Sequence, residues 1–101
     1  MPAAAAPPAL TAIPNVGPAI ARKLLRLDIH GVDDLRGRDP DDLFERLCAM
    51  DGRRHDPCLL DTFTAAVAYA DGGPARPWWE FSRERKAREA AAPHRRSRIA
   101  V

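Results

Sequence analysis

What this chain lacks narrows it first. No apolar run approaches the ~20 residues that a membrane-spanning helix requires, although 46% of the 101 residues are hydrophobic. The chain is therefore globular in composition rather than disordered overall. No segment alternates apolar and polar residues for long, and Ala, Leu and Arg dominate, so strands are not expected and the fold class is all-α. Cysteine is scarce: Cys48 and Cys58 are the two present. The opening "MPAAAAPPAL" has neither the positive start nor the continuous apolar stretch of a secretory signal, and its prolines break helices. Residues 1–8 are read as a loose leader, the location as cytoplasmic, and both thiols as reduced. Size is limiting too. A chain this long buries roughly 60–70% of its unfolded surface, enough for one small core but not for a core and a deep substrate cleft.

A catalytic constellation is also missing. His30, His55 and His94 fall in turns or near the C-terminus, and the carboxylates sit where helices begin. No serine or cysteine has an evident base near it in sequence. The expectation is a protein that is not an enzyme, has no catalytic residue, and needs no cofactor and no small-molecule substrate. Cys48, His55 and Cys58 form C-x6-H-x2-C. That is three candidate ligands where a structural zinc takes four, so no metal site is expected.

The net charge is only +2, but it is unevenly spread. Residues 1–75 hold eight Lys/Arg and eleven Asp/Glu, a net of −3, whereas residues 76–101 hold eight and three, a net of +5. Nucleic-acid binding would have to rest on local placement rather than on overall charge.

Along the chain the pattern predicts a compact bundle of about five short helices at residues 9–81. The first covers Ala9 to Ile13. The second begins at Pro18, a favourable first-turn residue, and runs to Leu27. Its Ile20, Leu24 and Leu27 face inward, and Arg22, Lys23 and Arg26 share another face. Asp28 stands at a left-handed stop, which Asp tolerates. A third helix carries Val32 and Leu35 and stops at Gly37. In "RDPDDLFERLCAM" Asp39 caps a fourth helix, Pro40 opens it, and Leu43, Leu47 and Met50 line its inner stripe, widened by Phe44 and Cys48. In "HDPCLLDTFTAAVAYA" Asp56 and Pro57 repeat the device for a fifth helix that buries Leu59, Phe63, Val67 and Ala70. From Ser82 no apolar stripe remains. Residues 82–101 read as a basic tail, a frayed helix or one ordered only by a partner.

The informative stretch is "IPNVGPAIARKLL", Ile13 to Leu25. The turn Pro14–Asn15–Val16–Gly17 leads into a helix start with no Asp, Glu, Ser or Thr to cap it. Helix N-termini carry backbone N–H groups without internal acceptors, and such ends bind anions. The amides of Val16 to Ala19 are expected to be open. Gly17 admits a phosphate to the backbone without a Cβ in the way. Arg22, Lys23 and Arg26 follow within two turns. The next hairpin, "LRGRDPDDL", has Arg36 and Arg38 but fills its helix start with Asp39, Asp41 and Asp42. One hairpin is open to anions and the other is closed.

"LTAIPNVGPAIARKLL" resembles the helix-hairpin-helix motif (a SAM/helix-hairpin-helix-like fold), in which apolar–Pro–Gly–apolar–Gly precedes a helix. The resemblance implies sequence-independent binding of the DNA backbone, with duplex DNA as partner. Carried onto this chain, Val16, Gly17 and Ala19 supply amides, and Arg22, Lys23 and Arg26 supply charge. Asn15 replaces the motif's usual first glycine and Asp28 a later one. Asn accepts a left-handed backbone, so the turn survives. Over about Leu10 to Phe81, "IPNVGPAIARKLL", "DLRGRDPDDLFERLC", "DPCLLDTFTAAVAYA" and "WWEF" together resemble a small bacterial family labelled pathogenicity locus, or mitomycin resistance. Its members carry a single helix-hairpin-helix and have no assigned catalytic activity.

The site residues expected for DNA are thus Asn15, Val16, Gly17, Ala19, Arg22, Lys23 and Arg26. The alternative is a protein–protein adaptor that uses the acidic fourth-helix start and the exposed second-helix face. At least one of Trp78 and Trp79 is read as capping the core rather than stacking on bases. Cys58, in a helix's first turn, is a minor redox candidate. The basic tail is either a solubilising end or an arm along DNA.

Overall fold

The computed structural model describes residues 8–91, and all regular structure among them is helical. Six helices follow one another: α1 Pro8–Thr11, α2 Pro18–Arg26, α3 Val32–Leu35, α4 Pro40–Asp51, α5 Pro57–Ala70 and α6 Trp78–Ala91. Residues 1–7 of the expected leader and 92–101 of the expected tail lie outside the described residues.

Local chemistry sets most boundaries. α1 ends sooner than expected because Ile13 stands before Pro14, where an α conformation is disfavoured. Its last turn tightens, and the Ile13 N–H donates to the Leu10 carbonyl at 3.0 Å. α2, α4 and α5 each open on proline. Asp39 accepts from the Asp41 N–H at 2.9 Å and Asp56 from the Cys58 N–H at 2.8 Å, as expected of N-caps. α2 closes on Asp28, which takes the left-handed conformation at φ 65°. There the Asp28 N–H reaches the Leu25 carbonyl and the Ile29 N–H the Leu24 carbonyl, each at 3.0 Å, the paired C-terminal closure usually built on glycine.

One core unites α1 to α5. Leu10, Ile13, Val16, Leu24, Leu27, Ile29, Leu35, Leu43, Phe44, Leu47, Phe63 and Val67 pack into it. α5 is its axis, with α3, α4 and α6 packed against it, while α1 pairs with α2. In α2 the inner stripe is Ala21 and Leu24, with Ile20 half-buried beside them. Met50 is not part of the α4 stripe. It is 51% exposed.

The largest departure from expectation is α6. The segment from Ser82 onward has no apolar stripe, yet residues 82–91 continue a helix that lies along α5. Polar contacts hold it. Asp61, 2% exposed and the one charged residue of α5, accepts from the Ser82 hydroxyl. It also takes both arms of Arg85, from Nε at 2.9 Å and from an Nη at 3.0 Å. Arg85 then reaches Glu89 one turn on. Of the α6 side chains, Phe81 is also buried. A bidentate carboxylate–guanidinium pair with a third donor satisfies the buried charge, and no buried side-chain N or O among the described residues lacks a partner.

Candidate functional site

The Pro14–Gly17 turn has the shape its sequence suggests. Asn15 is left-handed at φ 71°, and Gly17 is the N-cap of α2, in extended conformation. No side chain caps α2 and its first turn holds no acidic residue. A Cβ built on Gly17 would meet nothing within 4 Å, so the approach to the backbone is open. Val16 is buried and anchors the turn to the core.

Each expected contributor can now be placed. The Val16 N–H is not open: it donates to the Ile13 carbonyl at 3.1 Å, closing the turn. Pro18 has no N–H. The open donors are Gly17 and Ala19, whose N–H groups have no acceptor among the described residues. Both residues are exposed. Arg22 is exposed and Lys23 half-buried on the solvent side of α2. Lys23 has no ion pair among the described residues. Arg26 differs. Its guanidinium grips Asp51 at the end of α4 with both Nη atoms, and Asp51 also meets His55 Nε2 at 2.6 Å. The Arg26 hydrogen bonds, with the His55 bond second, hold the Asp51 carboxyl at about 2, well below its ordinary 3.8. Arg26 is therefore part of a clasp between α2 and α4 and is not an open cation.

Asn15 has a role that sequence reading missed. Its side-chain amide donates to the Arg76 carbonyl at 2.7 Å and its oxygen accepts from the Trp78 N–H at 3.2 Å. The side chain thus caps the start of α6 from the far end of the chain, which explains an Asn where glycine would suffice for the backbone. It also turns away from any ligand at Gly17. The consequence is spatial: the first turn of α6 lies beside the hairpin. Trp78 there is half-buried, but Trp79 is 48% exposed and does not close the core. The Arg83 guanidinium sits over its ring, 5.3 Å from the centroid.

The second hairpin is shut. Asp39 satisfies the α4 start, the Gly37 N–H donates to Asp71 at 2.8 Å, and Arg36 Nε donates to the Ala70 carbonyl at 3.1 Å. The minor candidates fare no better. Burial pushes the Cys58 thiol up, and its hydrogen bond with Asp56 pushes the same way, against the thiolate form. Cys48 is buried and accepts the His55 N–H at 3.3 Å. Among the described residues no three His, Cys, Asp or Glu side chains converge to hold a metal ion, and no helix is long and apolar enough to cross a membrane. An open cavity of about 450 Å³ lined by Glu45, Cys48, Arg53 and Arg54 lies at the end of α4. Arg54 there is paired with Glu45.

The arrangement can hold an anion: two open amides at a helix start, an unobstructed approach, and cationic side chains on the following turns. The family described as Pathogenicity locus matches residues 3–87. The "Mitomycin resistance protein McrB" of Streptomyces lavendulae is 49% identical over 88 residues, which are 87% of this chain and 84% of that protein. No solved structure matches the chain. A match that takes in α1 through most of α6, together with a relative this similar over most of both chains, establishes that the protein belongs to the pathogenicity locus family.

Proposed function

We propose that this protein is a non-catalytic, cytoplasmic module that binds the DNA backbone without regard to sequence, using the Pro14–Gly17 turn as the hairpin of a helix-hairpin-helix. The observation that carries the reading is the start of α2. It is a proline-opened helix whose N-cap is a bare, exposed glycine, whereas the proline-opened α4 and α5 are capped by Asp39 and Asp56. A phosphate would take the Gly17 and Ala19 amides, where the helix dipole favours negative charge. A neighbouring phosphate would meet Arg22 and Lys23. Arg26 contributes only after release from Asp51.

Affinity of this kind lies at roughly 10⁻⁴–10⁻⁶ M at physiological salt. Neutralising two or three phosphates gives a salt slope of roughly −1.8 to −2.7 on duplex DNA. The test is titration of a short duplex across salt, with Gly17→Glu as the blocked control and Lys23→Ala as the graded one. The control abolishes binding, and Lys23→Ala shallows the slope by about one unit. A flat salt response, or a Gly17→Glu protein that binds as well as the parent, refutes the reading. An interaction that survives nuclease in a pull-down, from a protein with no duplex affinity, favours the adaptor instead. The relative's name links it to mitomycin resistance. We extend that phenotype to this chain, with the expectation that survival under the drug falls in the Gly17→Glu strain.

A further inference from the structure

We propose that Trp79 and Arg83 form a stacking platform for an unpaired nucleobase beside the hairpin, so that the protein favours single-stranded segments or frayed ends over an intact duplex. The inference rests on the hairpin reading and deepens it by naming the form of nucleic acid.

Three observations combine. First, the platform is placed. The Asn15 side chain bonds the Arg76 carbonyl and the Trp78 N–H, so the α6 start cannot move independently of the turn. Gly17 lies two residues from Asn15 and Trp79 one residue from Trp78, so the amides and the ring flank the same junction. Second, the ring is available and oriented. Trp79 is 48% exposed, and the Arg83 guanidinium, one turn on, lies 5.3 Å from its centroid. That cation–π contact steadies the ring and occupies one side of it. Third, the outer stripe of α6 suits a nucleic-acid strand. Trp79, Arg83 and Lys86 recur at helical spacing and all are exposed, while Phe81, Ser82 and Arg85 on the other side are used for packing. The acidic Glu80 and Glu84 are both bonded to Arg76.

Stacking decides the strand preference. Inside a duplex each base face is covered by its neighbours, so a tryptophan has nothing to stack on. A single strand, a loop or a frayed end offers faces, and every base has one, so the contact is tolerant of sequence. A phosphate on the Gly17 amides and a base on Trp79 are compatible along one strand.

The chain has two tryptophans, so Trp78→Phe leaves Trp79 as the sole tryptophan, read by selective excitation at the red edge, and keeps the main-chain N–H that Asn15 holds. Short oligothymidylate should quench that emission, and a blunt, stable duplex of similar charge should quench it weakly. Trp79→Ala should weaken oligothymidylate binding about tenfold, within the range for one stacked base, and change duplex binding less than about twofold. Trp79→Phe should restore most of the loss. Emission that does not respond to oligothymidylate, or Trp79→Ala weakening both forms equally, overturns the platform. So does emission that shifts with protein concentration alone, together with a dimer in sedimentation, because a second copy then covers the ring. The hairpin reading fails separately, through unimpaired duplex binding by Gly17→Glu.

Discussion

The starts of α2 and α4 are built alike up to one residue. Both follow a short helix and a tight turn, and both have proline in the first helical position. Before that proline stands Gly17 in one case and Asp39 in the other. Asp39 folds its carboxylate back onto the Asp41 N–H, and Asp41 and Asp42 add negative charge to the same turn. The α4 start is thus satisfied from within and repels anions. The α2 start has no such carboxylate and leaves the Gly17 and Ala19 donors facing outward. Helix geometry is the same at both sites. What differs is who accepts from the first-turn amides, and a cap that stabilises the helix is also a cap that shuts out a ligand.

Converting one start into the other gives the largest expected effect. Gly17→Asp should remove duplex binding, a loss of at least about tenfold, or ~1.4 kcal/mol. The same change should leave stability equal or higher by a few tenths of a kcal/mol, because Asp is a slightly better N-cap than glycine. The backbone at Gly17 is in an ordinary extended conformation with open space around it, so no strain opposes the side chain. Affinity by titration and stability by urea melts would then move in opposite directions. The reverse change, Asp39→Gly, should lower stability by a few tenths of a kcal/mol and confer no binding, because Asp41 and Asp42 remain. If Asp39→Gly creates an anion site, the cap alone separates the two starts and the charges of Asp41 and Asp42 do not.

Most of this contrast was legible in the sequence, because caps, first-turn prolines and left-handed stops are local. Asp39–Pro40, Asp56–Pro57, Asp28 and Gly52 act within a few residues of themselves, and the structure has them where the sequence suggests. What could not be read was every contact between residues distant in sequence. α6 looked unable to bury a face because its anchor is polar. The one available hint was Asp61, a lone acid within the apolar run of α5. Asn15 looked like a mere stand-in for glycine until its side chain was seen to meet Arg76 and Trp78. Arg26 sits at helical spacing with Arg22 and Lys23, yet Asp51 removes it from the set, and only tertiary packing brings α2 and the end of α4 together. Met50 keeps the period of its stripe but stays 51% exposed.

Asn15 sharpens the comparison at the next level of magnitude. Asn15→Gly restores the glycine that suits a left-handed turn and relieves the backbone there. It also deletes two hydrogen bonds to α6, each worth about 1 kcal/mol. The net expectation is a loss of about 1 kcal/mol, since glycine recovers part of it through easier φ > 0. The readout specific to the clamp is hydrogen exchange at the Trp78 amide, which should speed up while the Ala21 amide, bonded to Gly17 within α2, keeps its protection. Equal loosening of both amides would mean that Asn15 supports the turn and not the junction with α6.

The smallest effect concerns the cation that the structure withholds. Asp51→Asn removes the carboxylate that holds Arg26, leaving a near-isosteric amide that cannot form the same ion pair. Arg26 then joins Arg22 and Lys23, and the salt slope for duplex DNA should steepen by about one unit. Arg26→Ala in the parent should change the slope little, unlike Lys23→Ala, because its charge is already engaged by Asp51. Acid titration checks the clasp without DNA. The folded Asp51 carboxyl is held at about 2 against an ordinary 3.8, so its pairing stabilises the fold above about pH 4 and is lost as the pH falls toward 2. Unfolding measured between those values should therefore be less pH-dependent in Asp51→Asn than in the parent. A parent and variant with parallel acid limbs would show that the Arg26–Asp51–His55 cluster does not persist in solution, and Arg26 would return to the open face of α2 as a third cation beside the hairpin.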